Sequence, residues 1–245
     1  MQTYIIFGAS GGVGSALCEK LLQDPSKTTN VVAVSRSADK LARFTHPSVK
    51  PVPCDYSLES IESLIAGISE TYGSITGVAS CIGSLLLKPL HLTALAEFEA
   101  TMQVNVGTSF AIMRSAVKAM QGTGGSIVLC SSAVSEIGMA NHEAIAAAKG
   151  AINSLARSAA ATYASKKIRV NVVAPGLTKT PLTARITGSE AAAKASLAMH
   201  PLGRLGEPED IARAISFFLD PANDWITGQI LAVDGGLSTL KVKTD

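Results

Sequence analysis

Short apolar runs alternate with longer segments of helical period along the whole chain, and this alternation narrows the possible folds more than any other feature. The runs cover residues 3–7, 31–34, 49–54, 75–81, 127–130, 170–174 and 229–233. Between them, residues 13–22, 57–72, 97–120 and 144–164 carry apolar side chains at three- and four-residue intervals. A strand that feeds a helix and returns as another strand makes a crossover unit, and repeated crossovers build a parallel sheet covered on both sides. The pattern predicts a single doubly wound α/β domain over residues 1–245, with a mostly parallel seven-stranded sheet and helices on both faces. A hydrophobic content of 47% against 16% charged residues supplies the core such a sheet needs.

The composition also narrows the partners. A formal net charge of +2 leaves no basic surplus for a nucleic-acid backbone. No apolar run approaches the roughly 18 residues of a membrane span, and the first strand begins almost at once with Tyr4. A cytoplasmic protein without membrane or nucleic-acid partners is expected. The cysteines Cys18, Cys54, Cys81 and Cys130 show no C-x-x-C pair, and the histidines have no ligand spacing, so no metal site is expected. Three of the four cysteines fall in or at the ends of strand-like runs and read as buried free thiols. The one long irregular interval, about 177–207, contains an Ala-rich piece at 190–199 and reads as a substrate lid. Leu182, Ile186, Leu197 and Met199 within it predict a partly apolar cleft.

Directly after the first strand comes Gly8-Ala9-Ser10-Gly11-Gly12-Val13-Gly14, opening the first helix. Glycine permits the tight turn and the close approach of backbone to a pyrophosphate, and the helix amino terminus offers unpaired N–H groups to phosphate oxygens. Placed between strand and helix at the head of an alternating chain, the motif identifies the domain as Rossmann-type and dinucleotide-binding. Where an NAD site usually carries a carboxylate for the ribose 2′-OH, this chain has Ser35 followed by Arg36. A guanidinium can grip a 2′-phosphate through two hydrogen bonds. NADP(H) is therefore the preferred cofactor, with NAD(H) possible.

Several further motifs make the chain resemble the short-chain dehydrogenase/reductase family, nearly end to end. They are Asp55 after the third strand, Val104-Asn105-Val106-Gly107, Ser132 after the fifth strand, Lys149, the run Asn171-Val172-Val173-Ala174-Pro175-Gly176, and Val233-Asp234-Gly235-Gly236. The resemblance implies Asp55 and Tyr56 near the adenine and Lys149 on the nicotinamide ribose. It implies Pro175, Gly176 and Thr180 around the carboxamide. It further implies hydride transfer at a tetrad of Asn, Ser, Tyr and Lys, and a dimer or tetramer formed through the helices at 97–120 and 144–164.

The tetrad is incomplete. Asn105, Ser132 and Lys149 stand in register, but the tyrosine position is Ile145, which neither donates nor accepts a proton. A positioned general acid contributes about 10²–10⁴-fold in rate. No other tyrosine replaces it: Tyr163, for example, lies 14 residues beyond Lys149 on one helix, roughly 20 Å away. His142, seven residues before Lys149, coincides with the shifted acid position of the enoyl reductase branch, and imidazole transfers protons near neutral pH. A second departure is Ser80-Cys81-Ile82-Gly83, where the family has Asn-Asn-Ala-Gly, which weakens the expected side-chain ties across the central sheet. The readings left open are an NADP(H)-dependent oxidoreductase of a small carbonyl or alcohol, with His142 or water supplying the proton, a cofactor-binding sensor or structural subunit with little redox activity, and a non-redox protein that has lost the cofactor.

Overall fold

The computed structural model describes residues 1–24 and 28–241. Seven strands form one sheet: β1 (Gln2–Phe7), β2 (Thr29–Ser35), β3 (Val49–Pro53), β4 (Gly77–Ser80), β5 (Gly125–Cys130), β6 (Ile168–Pro175) and β7 (Ile230–Val233). Their order is β3-β2-β1-β4-β5-β6-β7 and every pairing is parallel. The expected sheet is thus present, and parallel throughout rather than mostly so. The strand expected at 75–81 is trimmed to Gly77–Ser80, with Ile75 buried just before it.

Period-two alternation sorts the strand residues onto two cores. Ile5, Phe7, Val32, Val34, Val78, Ile127 and Leu129 lie on one face. There they meet α3 (Leu58–Tyr72), α5 (Thr108–Met120) and α6 (Glu143–Tyr163) through Ile61, Ile65, Ile112 and Ile152. Tyr4, Ile6, Val31, Ala33, Ala79 and Val128 lie on the other, against α1 (Gly12–Leu21) and α9 (Pro208–Leu219) through Leu17, Ile211, Ile215 and Phe218. Burial on both faces is why these strands read as continuous apolar runs.

The remaining helices are short or interrupted. They are α2 (Ala38–Leu41), α4 (Leu95–Met102), α7 (Ala184–Thr187) and α8 (Glu190–Ala198). The segment expected as one helix over 97–120 is divided by a π turn at Gln103–Gly107, in which the Thr108 N–H donates to the Gln103 carbonyl five residues back. The interval read as a lid holds α7 and α8. Among the described residues no helix is long and apolar enough to cross a membrane, and no group of three or more His, Cys, Asp and Glu is placed to hold a metal ion.

Successive strands run outward from β1 to β3 on one side and from β4 to β7 on the other. The chain reverses its winding between β1 and β4, which opens a crevice at their carboxyl ends. The far edge is closed by Asn171, fully buried on β6. Its Nδ2 donates to the Ile226 carbonyl at 3.0 Å and its Oδ1 accepts the Gln229 N–H at 3.0 Å, clamping the approach to β7. Replacing it by alanine leaves the Gln229 N–H without its acceptor, while the Ile226 carbonyl keeps the Arg169 guanidinium at 3.2 Å. Asn171→Ala is expected to lower the unfolding free energy by about 1–3 kcal/mol, read as a lower urea midpoint at unchanged denaturant slope.

Candidate active site

The turn from β1 into α1 is shaped by contacts that only glycine tolerates. Gly8 adopts φ +78°, and its N–H and that of Ala9 both donate to the Val34 carbonyl at 3.0 Å. A Cβ on Gly14 would lie 2.3 Å from the Gly8 carbonyl oxygen, so the first turn of α1 rests directly on the end of β1. Gly11, the N-cap, provides no side-chain cap, and the first turn carries no acidic residue. Its amide groups and the positive end of the helix dipole are left for an anion.

Here a cavity of about 240 Å³ opens, lined by Gly8, Ser10, Gly11, Gly12, Val13 and Gly14. Ser35, Arg36, Tyr56 and Thr180 complete its expected members, and Cys81, Ile82, Gly83 and Leu182 join them. Ser35 is buried, and its hydroxyl shares a 2.6 Å hydrogen bond with Ser10, tying the glycine loop to the end of β2. Arg36 is exposed, with its guanidinium 5.8 Å from the Tyr56 ring centre. Burial pushes the Tyr56 phenol up to about 12, so it stays neutral beneath that cation. Asp55 lines a neighbouring groove that also includes Arg36, not the glycine-loop cavity. Hydrogen bonds hold its carboxyl low, chiefly one from the Ser57 N–H at 2.9 Å.

Lys149 and Asn105 converge on the cavity wall from different helices. A Cβ on Gly83 would stand 3.4 Å from the Lys149 Nζ and 3.3 Å from the Asn105 Oδ1. Lys149 is buried, and its Nζ donates to the Cys130 carbonyl at 3.0 Å. Burial lowers its pKa to about 8, against an opposing pull from Cys130 and Cys81. The Asn105 amide is committed to the protein, donating to the Ser84 Oγ and the Thr101 carbonyl at 2.9 Å each. Ser132 is half-buried at the start of a short turn over Ala133–Ser135, and its Oγ accepts the Val134 N–H at 3.4 Å.

Ile145 is buried in the second position after the start of α6. The helix begins at Glu143, so His142 is its N-cap rather than a helical residue. The His142 Nδ1 lies 2.7 Å from the Ala140 carbonyl. A carbonyl only accepts, so Nδ1 carries the hydrogen and Nε2 is the atom free to take up or release a proton.

Pro175 ends β6, and Gly176 follows with its N–H donating to the Val233 carbonyl at 3.1 Å. A contact invisible in the sequence fixes this loop. Buried His200, just beyond α8, accepts the Leu177 N–H on Nε2 at 3.2 Å, while its Nδ1 lies 2.7 Å from the Ser196 carbonyl. The ring thereby ties the chain just after α8 to the loop after β6. A Cβ on Gly176 would come within 2.8 Å of that ring nitrogen. Nothing in local spacing signals the contact with the loop after β6, because Leu177 lies 23 residues upstream. Ser80, in the stretch where side-chain ties across the central sheet were expected to be weakened, is buried with its Oγ unpartnered. The tie is made instead by backbone, from the Cys81 N–H to the Phe7 carbonyl at 2.9 Å.

Known proteins resemble this chain over its whole length. A family model described as enoyl-(acyl carrier protein) reductase matches residues 8–238. The chain is 34% identical to cis-4-hydroxycyclohexanecarboxylate dehydrogenase of Sinomonas cyclohexanicum, with 96% of each chain covered. It is likewise 34% identical to carbonyl reductase family member 4 of Danio rerio, covering 96% of this chain and 98% of the relative. Among solved structures, a short-chain type dehydrogenase/reductase from Mycobacterium ulcerans superposes with TM-score 0.90 at 28% identity, covering 97% of this chain and 90% of that one. ElxO with NADP bound superposes with TM-score 0.90 at 27% identity, covering 98% and 99%.

The depressed Lys149 pKa has a consequence for stability. Its value in the fold, about 8, lies below the ordinary lysine value of 10.5. The cost of burying the ammonium is therefore full below pH 8, fades as pH rises towards 10.5 and is gone above it. At about 1.4 kcal/mol per pH unit, the cost is about 3 kcal/mol. In urea unfolding of the ligand-free protein, the stability of wild type relative to Lys149→Met is expected to rise by about that amount between pH 8 and 10.5.

Proposed function

Because the chain belongs to the short-chain dehydrogenase/reductase family, we propose that it is an NADP(H)-dependent oxidoreductase acting on a small carbonyl or alcohol. The observation that carries this reading is the glycine-loop cavity: uncapped helix amides at one end, and Ser35 and Arg36 where a carboxylate would repel a 2′-phosphate. The residues present fit the dinucleotide, since the N-cap Gly11 leaves the first-turn amides of α1 uncapped and no acidic side chain stands in that turn. When bound, the nicotinamide supplies or accepts the hydride.

The chain's own residues divide the remaining work. The first-turn amides of α1 receive the diphosphate, and Arg36 faces the extra phosphoryl group beside the apolar plate of Tyr56. Asp55 and Tyr56 belong to the adenine side, and Lys149 holds the nicotinamide ribose. Pro175, Gly176 and Thr180 orient the carboxamide, on a loop that His200 keeps in place. Asn105 braces the Gly83–Ser84 segment through Ser84. Ser132 polarises the substrate oxygen, and the proton moves through His142 Nε2 or water. The segment over 177–207 closes as the lid, with Leu182 on the cavity wall. A homo-oligomer working in the cytoplasm, built through the α5 and α6 faces, completes the reading; Phe110 on α5 is half exposed.

Ile145 favours a second reading, a cofactor-binding member without hydride chemistry. Fluorescence titration with NADPH and NADH, followed by a broad panel of ketones and aldehydes, separates the two. Turnover of any panel member supports the enzyme; binding with no turnover at all supports the second reading.

Arg36→Ala is expected to weaken NADPH binding by about tenfold to a hundredfold, the loss of one or two charge-assisted hydrogen bonds. NADH binding should be nearly unchanged in the same titration. Ile145→Tyr is expected to raise carbonyl reduction by about 10²–10⁴-fold, measured as NADPH consumption. No gain would mean that Ser132 is not aimed at the reacting oxygen.

A further inference from the structure

Cys81 and Cys130 differ from the chain's other thiols in placement. Parallel register pairs Ser80 of β4 with Leu129 of β5, so the next residue on each chain, Cys81 and Cys130, stands beside the other at the carboxyl end of the sheet. Both pack over the same face, against the core formed with α1 and α9. Each thiol is the largest influence on the other's acidity. Both residues are only partly buried, and Cys81 lines the glycine-loop cavity. Its carbonyl carbon lies 2.9 Å from where a Cβ on Gly8 would be, so backbone movement at Cys81 is transmitted to the turn that begins the glycine loop. The Lys149 ammonium completes the cluster, donating to the Cys130 carbonyl.

We propose that Cys81 and Cys130 are a redox-modification site, a thiol pair that hydrogen peroxide oxidises to a disulfide at the expense of dinucleotide binding. The disulfide stands independently of the proposed function; its effect on the dinucleotide rests on that reading.

Cys130 is the attacking sulfur. The neighbouring Cys81 thiol lowers its pKa, and the Lys149 charge works in the same direction, while the Cys130 thiol and burial raise Cys81. The Cys130 thiolate attacks a peroxide oxygen; an S–O bond forms, the O–O bond breaks, and the leaving oxygen departs as water after taking a proton. The Cys81 sulfur then attacks the resulting sulfenic acid. An S–S bond forms, the S–O bond breaks, and a second water leaves with the Cys81 proton. Two electrons pass from the two sulfurs to the peroxide, and the balance is two thiols and one peroxide to one disulfide and two waters. By contrast, burial pushes Cys18 up to about 12 and also raises Cys54, so neither competes for the oxidant.

The bond and the dinucleotide oppose each other for a geometric reason. Adjacent strands lie about 4.8 Å apart, within the usual Cα range of a disulfide, but the Cβ atoms must close to about 3.8 Å. Closing that gap draws Cys81 towards Cys130 and moves the wall against which Gly8 is set. Whatever factor the disulfide takes from dinucleotide affinity, bound dinucleotide takes from disulfide formation, because the coupling is reciprocal.

The test uses the full chain, reduced and then exposed to hydrogen peroxide under native conditions. Free thiols are trapped with N-ethylmaleimide, and peptides are analysed by mass spectrometry. The expected product links Cys81 to Cys130, while Cys18 and Cys54 are recovered alkylated. With dimedone as probe, Cys81→Ala should leave a labelled Cys130, and Cys130→Ser should leave Cys81 unlabelled. Recovery of both thiols alkylated after peroxide, or oxidation of Cys18 or Cys54 first, overturns the assignment in the wild-type protein without recourse to a variant. The oxidised protein should bind NADPH about tenfold or more weakly by fluorescence titration, with dithiothreitol restoring affinity and NADPH slowing the oxidation. A disulfide that leaves affinity unchanged overturns the coupling. If reduced protein binds no dinucleotide, the proposed function fails, and the mass spectrum still decides the thiol pair.

Discussion

The contact between the first turn of α1 and the end of β1 is the constraint on which the crevice depends. With the Gly8 carbonyl oxygen 2.3 Å from the place of a Cβ on Gly14, even a methyl group would lever the helix off the sheet. That seating aims the uncapped amides of α1 across the strand ends. It also brings Ser10 to Ser35, so the glycine loop is held to β2 as well as to β1. Strand, loop and helix form one rigid corner, and the cavity is the space it encloses.

A parallel sheet collects distant residues because every strand ends on the same side. Lys149 from α6 and Asn105 from the π turn meet beside Gly83, which follows β4. Ile145, an apolar side chain, is buried in the first turn of the same helix, α6. Lys149 itself has carbonyl and thiol neighbours. Its ammonium sits in a setting that costs stability, a common mark of residues placed for chemistry rather than for folding.

Much of this was legible in the sequence, for identifiable reasons. Strand identity followed from side chains buried on both faces, and the glycine loop from a contiguous motif whose neighbours in the cavity include Ser35, Arg36 and Thr180. Contacts set by register or by long-range docking were not legible. The pairing of Cys81 with Cys130 needs the β4–β5 alignment, and cysteines read singly look like inert core thiols. His200 depends on how the chain after α8 folds back over Leu177. Asp55 was identified by motif, yet its carboxylate is occupied locally by the Ser57 N–H, a hydrogen bond that no spacing rule foresees. The α9 helix, outside the four segments picked out by periodicity, announces itself through Pro208 at its first turn and a capping box between Glu207 and Asp210.

The π turn at Gln103–Gly107 carries one more consequence. An extra residue per turn rotates everything upstream by about 100° relative to an uninterrupted α-helix. Just past it, the Ser109 hydroxyl donates to the Asn105 carbonyl at 2.7 Å. The segment thus works as a phase shifter between α4 and α5, letting one continuous rod present Asn105 to Ser84 at one end and an apolar stripe to the sheet at the other. A single-residue deletion there would put the two halves back in phase. The chain would keep its length of helix and lose the alignment, so this stretch should accept substitution far more readily than any change in residue count.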